Sequence, residues 1–454
     1  MSQQSEFAFE QSGPDADLLV ALIGKADLVF VKKLSNNDRD WARFANKHQA
    51  GVYIPHRERD SGFFPELAEK PLRDPDGHTI RETFFRTFWP QVNEVRETRL
   101  VHYTSKGQET HLTRLPQENF SDLLPASFIV IGRITGKTGH EYECLTIDSG
   151  SDEAELLAES FSLDPEFLVQ VFDPAAVRGA ERDKVFDFAD QVIAAWLDGK
   201  IASFASGHAA MPTTLQLALK AQGAWLEKTG QPNMDPFALH NPGDVLREIS
   251  RSIEWELFRE YQRRERSVEL VRIVFGDTPN NLSPSEIIRA LVDEFPRVDA
   301  LMLSASQQRK SRAGYSYEHH IEAMLLGGNI PFEKQVVIEA KKRPDFILPS
   351  LTFLSSKSDS AATGLILSAK TTLRERWKQV EREMGGKRRL FLSTVDENIA
   401  GNAIEDMASL GVHLVIPESL KKSKLAEYEG HCNVLGFREF CESQIKPNLV
   451  FWRT

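Results

Sequence analysis

Apolar residues in the first third of the chain come in short runs, which Gly, Pro and polar clusters interrupt. Short runs rich in Val, Ile, Leu and aromatic residues, with turn residues at both ends, are typical of β-strands. Several short strands with frequent turns favour a barrel or a sandwich. The runs of this kind are Leu28–Val31, Gly51–Ile54, Arg99–Tyr103, His111–Arg114, Ser127–Ile131 and Glu143–Ile147.

Helical periodicity replaces this pattern farther along the chain. Residues 174–207 predict a hinge followed by a helix, and such a segment marks a domain boundary. Apolar residues then recur at helical spacing in Thr214–Lys228, in Gly243–Arg263 and in Tyr315–Leu326. We therefore expect a helical region after the boundary.

The last third of the chain alternates between strand-like and helix-like segments, in the order β-β-β-α-β-α-β. This order predicts an α/β domain with a mixed five-stranded sheet that has a parallel part. The sequence thus predicts a multidomain protein, with a β-rich domain over 1–175, a hinge or linker helix over 176–207 and the α/β domain over 208–454. The predicted strands are 334–340, 344–348, 364–370, 390–393 and 412–416, and the helices are 373–384 and 397–410.

Length and charge fit this picture. A chain of 454 residues exceeds one ordinary core. The net charge of −11 argues mildly against nucleic acid, but DNA responds to local patches, and residues 370–389 hold eight Lys and Arg against three Glu. No apolar run approaches a membrane span, no signal peptide is recognisable, and the three cysteines form no disulfide framework or metal-ligand spacing. We expect a cytoplasmic protein that does not contact membranes.

The chemistry concentrates around the predicted strands of the α/β domain. Asp345 heads one apolar run, Lys370 ends the next, and Glu383 follows Lys370 by thirteen positions on a predicted helix. Carboxylates hold hard divalent ions such as Mg²⁺, and a lysine positions or deprotonates a water and counters negative charge. The pattern predicts a phosphodiester hydrolase that depends on a divalent metal ion, with Asp345 and Glu383 as metal ligands, Lys370 as a catalytic residue and Glu318 as a further acidic group.

One position departs from the common nuclease pattern, in which an acid stands two residues before the lysine on the same strand. That position is Ser368 here. The site obtains its second carboxylate only if a helix brings Glu383 back beside the end of the strand. An Asp after Pro usually just starts a strand or a turn. The prediction therefore depends on the combination of Asp345, Lys370 and Glu383.

Around these residues the chain resembles the EcoRII-like type II restriction endonucleases, the PD-(D/E)xK nucleases that cut CCNGG-type and CCGG-type sites. In that group the second acid is displaced onto the following helix, at the spacing found between Lys370 and Glu383. The resemblance is carried by Ser311–Glu318, Lys342–Phe346 and Lys370–Gln379. It implies that Glu318, Asp345, Lys370 and Glu383 are the catalytic residues and that Mg²⁺ is the cofactor.

The same resemblance implies the residues that read DNA. Arg374, Glu375 and Arg376 occupy the positions of a triplet that reads the CC:GG half-site in the major groove. Arg can bind guanine through two hydrogen bonds, and Glu can accept from N4 of cytosine, so the residue types suit this role. Gln307 matches a polar residue that contacts the inner base pair.

Arg251 and Trp255 match a pair that sandwiches a flipped central base in the resembled family. They are four positions apart and therefore lie on one face of the predicted helix. On residue types alone, an Arg stacked on a half-buried Trp is an ordinary structural contact. Base flipping is thus an implication of the resemblance.

The N-terminal part resembles the effector-DNA-binding domain of EcoRII, a β-pseudobarrel shared with plant transcription factors. Phe30–Asp38 and His48–Pro55 carry this resemblance. Two polar loops fall where that fold places its DNA-reading arms. The implied effector-DNA contacts are Lys33, Asn36, Asn37, Asp38, His48, Lys106 and Arg114.

Together these resemblances imply a homodimeric, Mg²⁺-dependent type IIE-like restriction endonuclease. It would cleave double-stranded DNA before the first C of a CCWGG-like or CCNGG-like site, and binding of a second site to the N-terminal domain would relieve autoinhibition. A palindromic site requires a two-fold symmetric enzyme. Two alternatives remain: a DNA-binding regulator with an inactive nuclease scaffold, and a repair or junction-resolving nuclease with the same core.

Overall fold

The computed structural model describes residues 14–44, 51–70, 79–104, 107, 109–136, 139–336, 343–355, 364–373 and 390–452. The chain divides into two compact units. The first comprises residues 1–180 together with 424–427, and the second comprises residues 181–423 and 428–454. The division after Ala180 falls inside the helix Pro174–Leu197, close to the predicted boundary at residue 175.

The first unit is built on a β-sheet, and all six strands predicted for it are confirmed. Its strands are β1 (Leu28–Lys33), β2 (Val52–Ile54), β3 (Ala68–Lys70), β4 (Ile80–Trp89), β5 (Glu94–Tyr103), β6 (Thr110–Thr113), β7 (Phe128–Gly136), β8 (Gly139–Ile147) and β9 (Val169–Phe172). Its helices are α1 (Pro14–Lys25), α2 (Asn36–Arg43), α3 (His56–Arg59), α4 (Asp152–Ser160) and the start of α5 (Pro174–Leu197), with a 3₁₀ turn at Gln117–Asn119.

The nine strands pair in the order β2-β6-β5-β4-β8-β7-β1-β9, and β3 pairs with β4. Neighbours are antiparallel except β4 and β8, which pair in parallel. Because side chains alternate along a strand, Phe30 of β1 enters one apolar core while Val29 and Val31 enter another, against α1 and α4. The pseudobarrel itself stays a prediction.

The second unit combines helices with a second sheet. Its helices after α5 are α6 (Ile201–Phe204), α7 (Thr214–Thr229), α8 (Pro242–Glu248), α9 (Glu254–Phe275), α10 (Pro284–Asp293), α11 (Phe295–Gly327), α12 (Leu351–Ser355), α13 (Gly401–Ser409), α14 (Glu418–Lys421), α15 (Phe437–Phe440) and α16 (Leu449–Trp452). Three π-helical turns cover Ala205–Ala209, Ile249–Ile253 and Cys441–Ile445. Its strands are β10 (Glu333–Lys334), β11 (Phe346–Leu348), β12 (Leu365–Ala369), β13 (Leu390–Ser393), β14 (Val412–Ile416) and β15 (Val434–Gly436).

The strands of the second unit form one mixed sheet in the order β10 to β15. Strands β10, β11 and β12 pair antiparallel, and β12 to β15 pair in parallel, which confirms a mixed sheet with a parallel part. The prediction of five strands is wrong, since the sheet has six strands within the described residues alone. The additional strand, β15, is only 3 residues long, so it leaves no apolar run long enough to stand out in the sequence.

Helix α11 packs against this sheet and carries one of the predicted catalytic residues. Ile321 and Leu325 on the helix share an apolar core with Leu365 and Leu367 of β12. The end of α11 lies so close to another backbone segment that a Cβ on Gly327 would be 2.6 Å from the carbonyl atoms of Met234. Only glycine allows this approach, so it fixes the position of the helix relative to the segment before α8.

Within the described ranges, no helix combines the length and the apolar character that crossing a bilayer requires.

Candidate active site

Asp345 lies just before β11, next to the end of β12. The two strands pair antiparallel, with Phe346 opposite Leu367, so the start of one adjoins the end of the other. Oδ2 of Asp345 accepts a hydrogen bond from the backbone N–H of Ala369 at 2.8 Å and another from Nζ of Lys370 at 3.1 Å. The structure therefore brings together two residues that the sequence separates by 25 positions.

Lys370 directly follows the last residue of β12. Its backbone N–H donates to the carbonyl of Ser393 at 2.9 Å, which ties it to the neighbouring strand β13. Its side chain is 30% exposed, so the ammonium is held by Asp345 and still open to solvent. Because side chains alternate, Ser368 is on the same face of the strand as Lys370, and Ser368 is buried with a hydroxyl where the common pattern has an acid.

Glu318 reaches this edge of the sheet from α11. It is buried, and its Oε2 accepts a hydrogen bond from Nε2 of Gln335 at 3.2 Å. Burial raises the pKa of Glu318, and the negative charge of Asp345 raises it further, whereas Gln335, Lys370 and Lys334 act to lower it. Glu318, Asp345 and Lys370 thus form one electrostatic cluster.

The cluster suits a hard divalent cation. Two carboxylates that destabilise each other's charge, with a lysine beside them, are stabilised when a cation binds between their oxygens. Among the residues that the structure describes, no group of three or more His, Cys, Asp or Glu is placed to hold a metal ion. Glu383, the other predicted ligand, lies outside the described residues, so the described part of the site contributes the carboxylates of Asp345 and Glu318.

Tyr317, next to Glu318, anchors α11 to the sheet. Its hydroxyl lies 2.9 Å from Oγ of Ser393, and both residues are buried. Burial raises the pKa of the Tyr317 hydroxyl, so this group stays neutral. The contact links the helix of Glu318 to the strand whose backbone holds Lys370.

A second set of buried contacts, made by His320, holds α11 against α9 and α7. Nε2 of His320 lies 2.7 Å from Oε2 of Glu254 on α9, and its Nδ1 lies 3.1 Å from Nε2 of Gln222 on α7. All three side chains are buried. No local spacing in the sequence marks these residues or Gln335 as parts of the site, because their partners come from distant parts of the chain.

The predicted flipped-base pair occupies neighbouring turns before and within α9. Arg251 is half-buried in the π-helical turn Ile249–Ile253, and its Nη1 donates to the carbonyl of Val395 at 3.2 Å. Trp255 is half-buried in α9 and stacks on Phe258, with ring centroids 5.8 Å apart. Arg251 therefore reaches the segment after β13, and the base-sandwiching role stays a prediction.

Several predicted site residues lie where the structure gives no side-chain placement. Gln307 is within α11, but its side chain is not described. The residues that lie wholly outside the described ranges are Arg374, Glu375, Arg376, Glu383, His48 and Lys106.

Two of the expected effector-DNA contacts are buried inside the first unit, which corrects the expectation. Asp38 is fully buried, and its carboxylate accepts from the N–H and hydroxyl of Ser35, from the N–H of Tyr53 and from Lys32. Lys33 is also buried, and its Nζ donates to the carbonyl of Pro165 at 2.8 Å. Asp38 forms a capping box with Ser35, the N-cap residue of helix α2, so local backbone chemistry explains why the sequence has Asp there.

The other described effector residues are more accessible. Asn37 is exposed at the start of α2. Asn36 is half-buried and donates to the carbonyl of Ala426, which belongs to the same unit, at 2.9 Å. Arg114 is exposed, with its guanidinium 4.8 Å from the ring centroid of Phe84 and 3.0 Å from Glu97.

Comparisons with known proteins find a family match and relatives for this chain. Residues 282–441 match the family described as EcoRII C terminal, and this span contains Glu318, Asp345, Lys370 and Glu383. The chain is 28% identical over 227 residues to the type II restriction enzyme SsoII of Shigella sonnei, a match that covers 48% of this chain and 72% of SsoII. It is 36% identical over 132 residues to the type II restriction enzyme EcoRII of Escherichia coli, covering 29% of this chain and 32% of EcoRII. Residues 282–441 therefore carry an EcoRII C-terminal domain, and the chain is similar to type II restriction endonucleases.

Both relatives are type II restriction enzymes, which are site-specific deoxyribonucleases, and this chain is homologous to them. Among solved structures, it is similar to metal-depleted Ecl18kI in complex with uncleaved, modified DNA. That match has a TM-score of 0.46 and 26% identity, and it covers 56% of this chain and 86% of Ecl18kI.

Proposed function

We propose that the EcoRII-like enzyme hydrolyses both strands of DNA at CCWGG-like or CCNGG-like sites and that it requires Mg²⁺. The observation that carries this proposal is the cluster of Asp345, Lys370 and Glu318 at one edge of the sheet, where Lys370 Nζ lies 3.1 Å from Asp345. The cluster lies inside the span that matches the EcoRII C terminal.

Asp345 and Glu383 are the residues that would hold Mg²⁺, with Glu318 as a further acidic group. When bound, Mg²⁺ supplies positive charge to the phosphoryl oxygens and lowers the pKa of a bound water. Oδ2 of Asp345 already accepts from Ala369 N–H and Lys370. These two donors hold the carboxylate in one orientation, which favours a preorganised ligand.

Lys370 positions the attacking water and offsets negative charge on the phosphate. Its partly exposed ammonium satisfies both requirements, since Asp345 fixes its location and solvent can reach it. A cationic group fixed at this place can stabilise the negative charge that develops in the transition state.

Sequence specificity comes from Arg374, Glu375 and Arg376. They begin four residues after Lys370, and the residues between include Leu373, which is fully buried. A short, anchored connection couples the position of the reading residues to that of Lys370. Gln307 would contact the inner base pair, and Arg251 with Trp255 would hold a flipped central base.

The enzyme acts as a homodimer on its palindromic site, and a second DNA site bound by the N-terminal unit relieves autoinhibition. An exposed Asn37 and Arg114 support a DNA-contacting role, because Asn and Arg side chains hold phosphates and base edges. Asn36, His48 and Lys106 complete the proposed effector surface.

A plasmid digest tests the proposal. The full-length enzyme is incubated with a two-site plasmid with Mg²⁺, without metal and with EDTA, and the ends of the products are sequenced. We expect discrete fragments, whose 5′ ends begin with the first C of a CCWGG-like or CCNGG-like site, only when Mg²⁺ is present. Discrete fragments at unrelated sequences would refute the specificity, a smear would indicate a repair-type nuclease, and no cleavage with any divalent ion would indicate an inactive scaffold.

A further inference from the structure

The segment Ser393–Asn398, which begins at the last residue of strand β13, connects the separate parts of the active site. At the start of this segment, the carbonyl of Ser393 accepts from the backbone N–H of Lys370 at 2.9 Å. The hydroxyl of Ser393 lies 2.9 Å from that of Tyr317, the neighbour of Glu318. The Ser393–Asn398 segment thus contacts both the lysine strand and the helix of Glu318.

Asp396 is a buried acidic residue in the middle of the Ser393–Asn398 segment. It is 2% exposed, and its carboxylate accepts two backbone N–H groups, from Leu373 at 2.8 Å and from Asn398 at 3.0 Å. Its own N–H donates to Oγ1 of Thr394 at 3.0 Å, and the Tyr428 hydroxyl donates to its carbonyl. A buried carboxylate needs such donors, and they also fix its position.

Leu373 is the last residue before the proposed recognition triplet. Its side chain is fully buried and its N–H is held by Asp396. Lys370, three residues earlier, is held by Ser393 of the same segment. Both ends of residues 370–373 are therefore fixed to the Ser393–Asn398 segment, one by a backbone carbonyl and the other by the Asp396 side chain.

The same segment reaches the proposed flipped-base pocket. Nη1 of Arg251 donates to the carbonyl of Val395 at 3.2 Å, and its positive charge acts on Asp396. The next residue, Glu397, forms a buried ion pair with Arg247 at 2.9 Å. Asp396 is thus linked to Arg251 on one side and to the start of the recognition triplet on the other.

We propose that Asp396 is a positioning residue that couples base reading to cleavage, through the hydrogen bond from Leu373 N–H to its carboxylate. This inference rests on the proposed function of residues 374–376. When those residues engage the correct bases, the Asp396 contact transmits their position to Lys370. With wrong bases, the strain on this contact displaces Lys370, and cleavage slows.

Asp396→Asn tests the coupling, because the amide is nearly the same size but its nitrogen cannot accept a hydrogen bond. One of the two N–H groups, of Leu373 or Asn398, then loses its acceptor. The readout is a ratio: the single-turnover cleavage rate at the cognate site divided by the rate at sites with one base pair changed. This ratio does not depend on the fraction of folded enzyme, so a merely structural role would leave it unchanged.

Glu418→Gln is the matched control. Glu418 also accepts two backbone N–H groups in this unit, from Asp244 at 3.0 Å and from Arg438 at 2.7 Å. We expect Asp396→Asn to lower the ratio about tenfold or more, the size expected for losing one hydrogen bond to a charged group, while Glu418→Gln leaves it unchanged. Equal ratios for wild type and Asp396→Asn would overturn the inference, and a wild-type enzyme that cuts no specific site would instead overturn the proposed function.

Thr394→Val keeps the inference testable if Asp396→Asn does not fold. It preserves the buried charge and removes only the acceptor of the Asp396 N–H. We expect a smaller decrease of the ratio in the same direction. An unchanged ratio in a folded Thr394→Val enzyme would refute the positioning role.

Discussion

Nζ of Lys370 lies 3.1 Å from Oδ2 of Asp345, and the backbone N–H of Ala369 donates to the same oxygen at 2.8 Å. One carboxylate oxygen thus fixes both the end of β12 and the lysine that follows it. A single contact therefore sets the distance between the proposed metal ligand and the proposed catalytic cation.

Replacing Lys370 by Ala should abolish cleavage and preserve specific binding. We expect the single-turnover rate to fall by about 10³-fold, because a preorganised charge beside the phosphate is lost. Binding to the cognate duplex without metal, measured by gel shift, should stay near the wild-type affinity. Lys421→Ala, which removes a lysine paired with Glu439 on the surface of the same unit, is the control and should cut normally. A Lys370→Ala enzyme that cuts within about tenfold of the wild-type rate would contradict this role.

Glu318 should make the metal-free enzyme less stable as the pH rises. Burial and the charge of Asp345 raise its pKa in the folded state above the ordinary value of 4.5. The folded state therefore holds its proton more tightly, and the associated stability is complete below that ordinary value and is lost as the pH rises through the folded pKa. Glu318→Gln should remove this dependence and raise the melting temperature at neutral pH in EDTA.

Thermal melts between acid and neutral pH, with EDTA and with Mg²⁺, measure this effect. Mg²⁺ should stabilise the wild type more than Glu318→Gln, since the variant offers the cation less negative charge. Identical pH profiles of the melting temperature for the two proteins in EDTA would show that ionisation of Glu318 does not destabilise the folded state.

Gly327→Ala should destabilise the second unit. The added methyl group would lie 2.6 Å from backbone atoms of Met234, which cannot move aside like a flexible side chain. We expect a loss of about 1–3 kcal/mol in the free energy of unfolding, measured by urea denaturation. The matched control is Gly223→Ala in helix α7, where nothing lies within 4 Å of the new Cβ, and it should stabilise the protein by about 0.5–1 kcal/mol. Equal effects of the two substitutions would refute the close approach at Gly327.

A short duplex that contains the recognition site should stimulate cleavage of a one-site plasmid. Asn37→Ala and Arg114→Ala should weaken this stimulation several-fold and leave the unstimulated rate unchanged, because they remove proposed contacts to effector DNA only. The dependence of the rate on duplex concentration measures this effect. Lys33→Met serves as a comparison, since Lys33 is buried and its Nζ donates to the carbonyl of Pro165. We expect this substitution to lower the stability of the protein and to affect the stimulation less. Full stimulation in the Asn37 and Arg114 variants would place the effector contacts elsewhere.

The sequence predicts the centre of the site well because strand ends are marked locally. An acid before one apolar run and a lysine after the next meet when the two runs pair antiparallel, as β11 and β12 do. Asp396 has no such mark. Its partner is the backbone N–H of Leu373, 23 positions away, and an Asp after a strand otherwise resembles any loop residue.

The strands that the sequence pattern does not predict are mostly short or half-exposed. In β4, the first half is largely accessible and burial becomes regular only near Phe85 and Trp89, so apolar residues do not alternate clearly. For Asp38, in contrast, the sequence suggests a function that the structure does not support. A polar residue in a polar loop suggests a DNA contact, but the Asp38 carboxylate is buried and accepts hydrogen bonds from the backbone N–H groups of Ser35 and Tyr53.

The pairing of Leu348 with Leu365 closes the β11–β12 pair at the end of the strands opposite Asp345 and Lys370. The length of the connection between Leu348 and Leu365 therefore does not affect the distance between Asp345 and Lys370. That connection is a place where insertions during evolution would leave chemistry intact, and where a fluorescent label or an affinity tag would report on the enzyme without disturbing turnover.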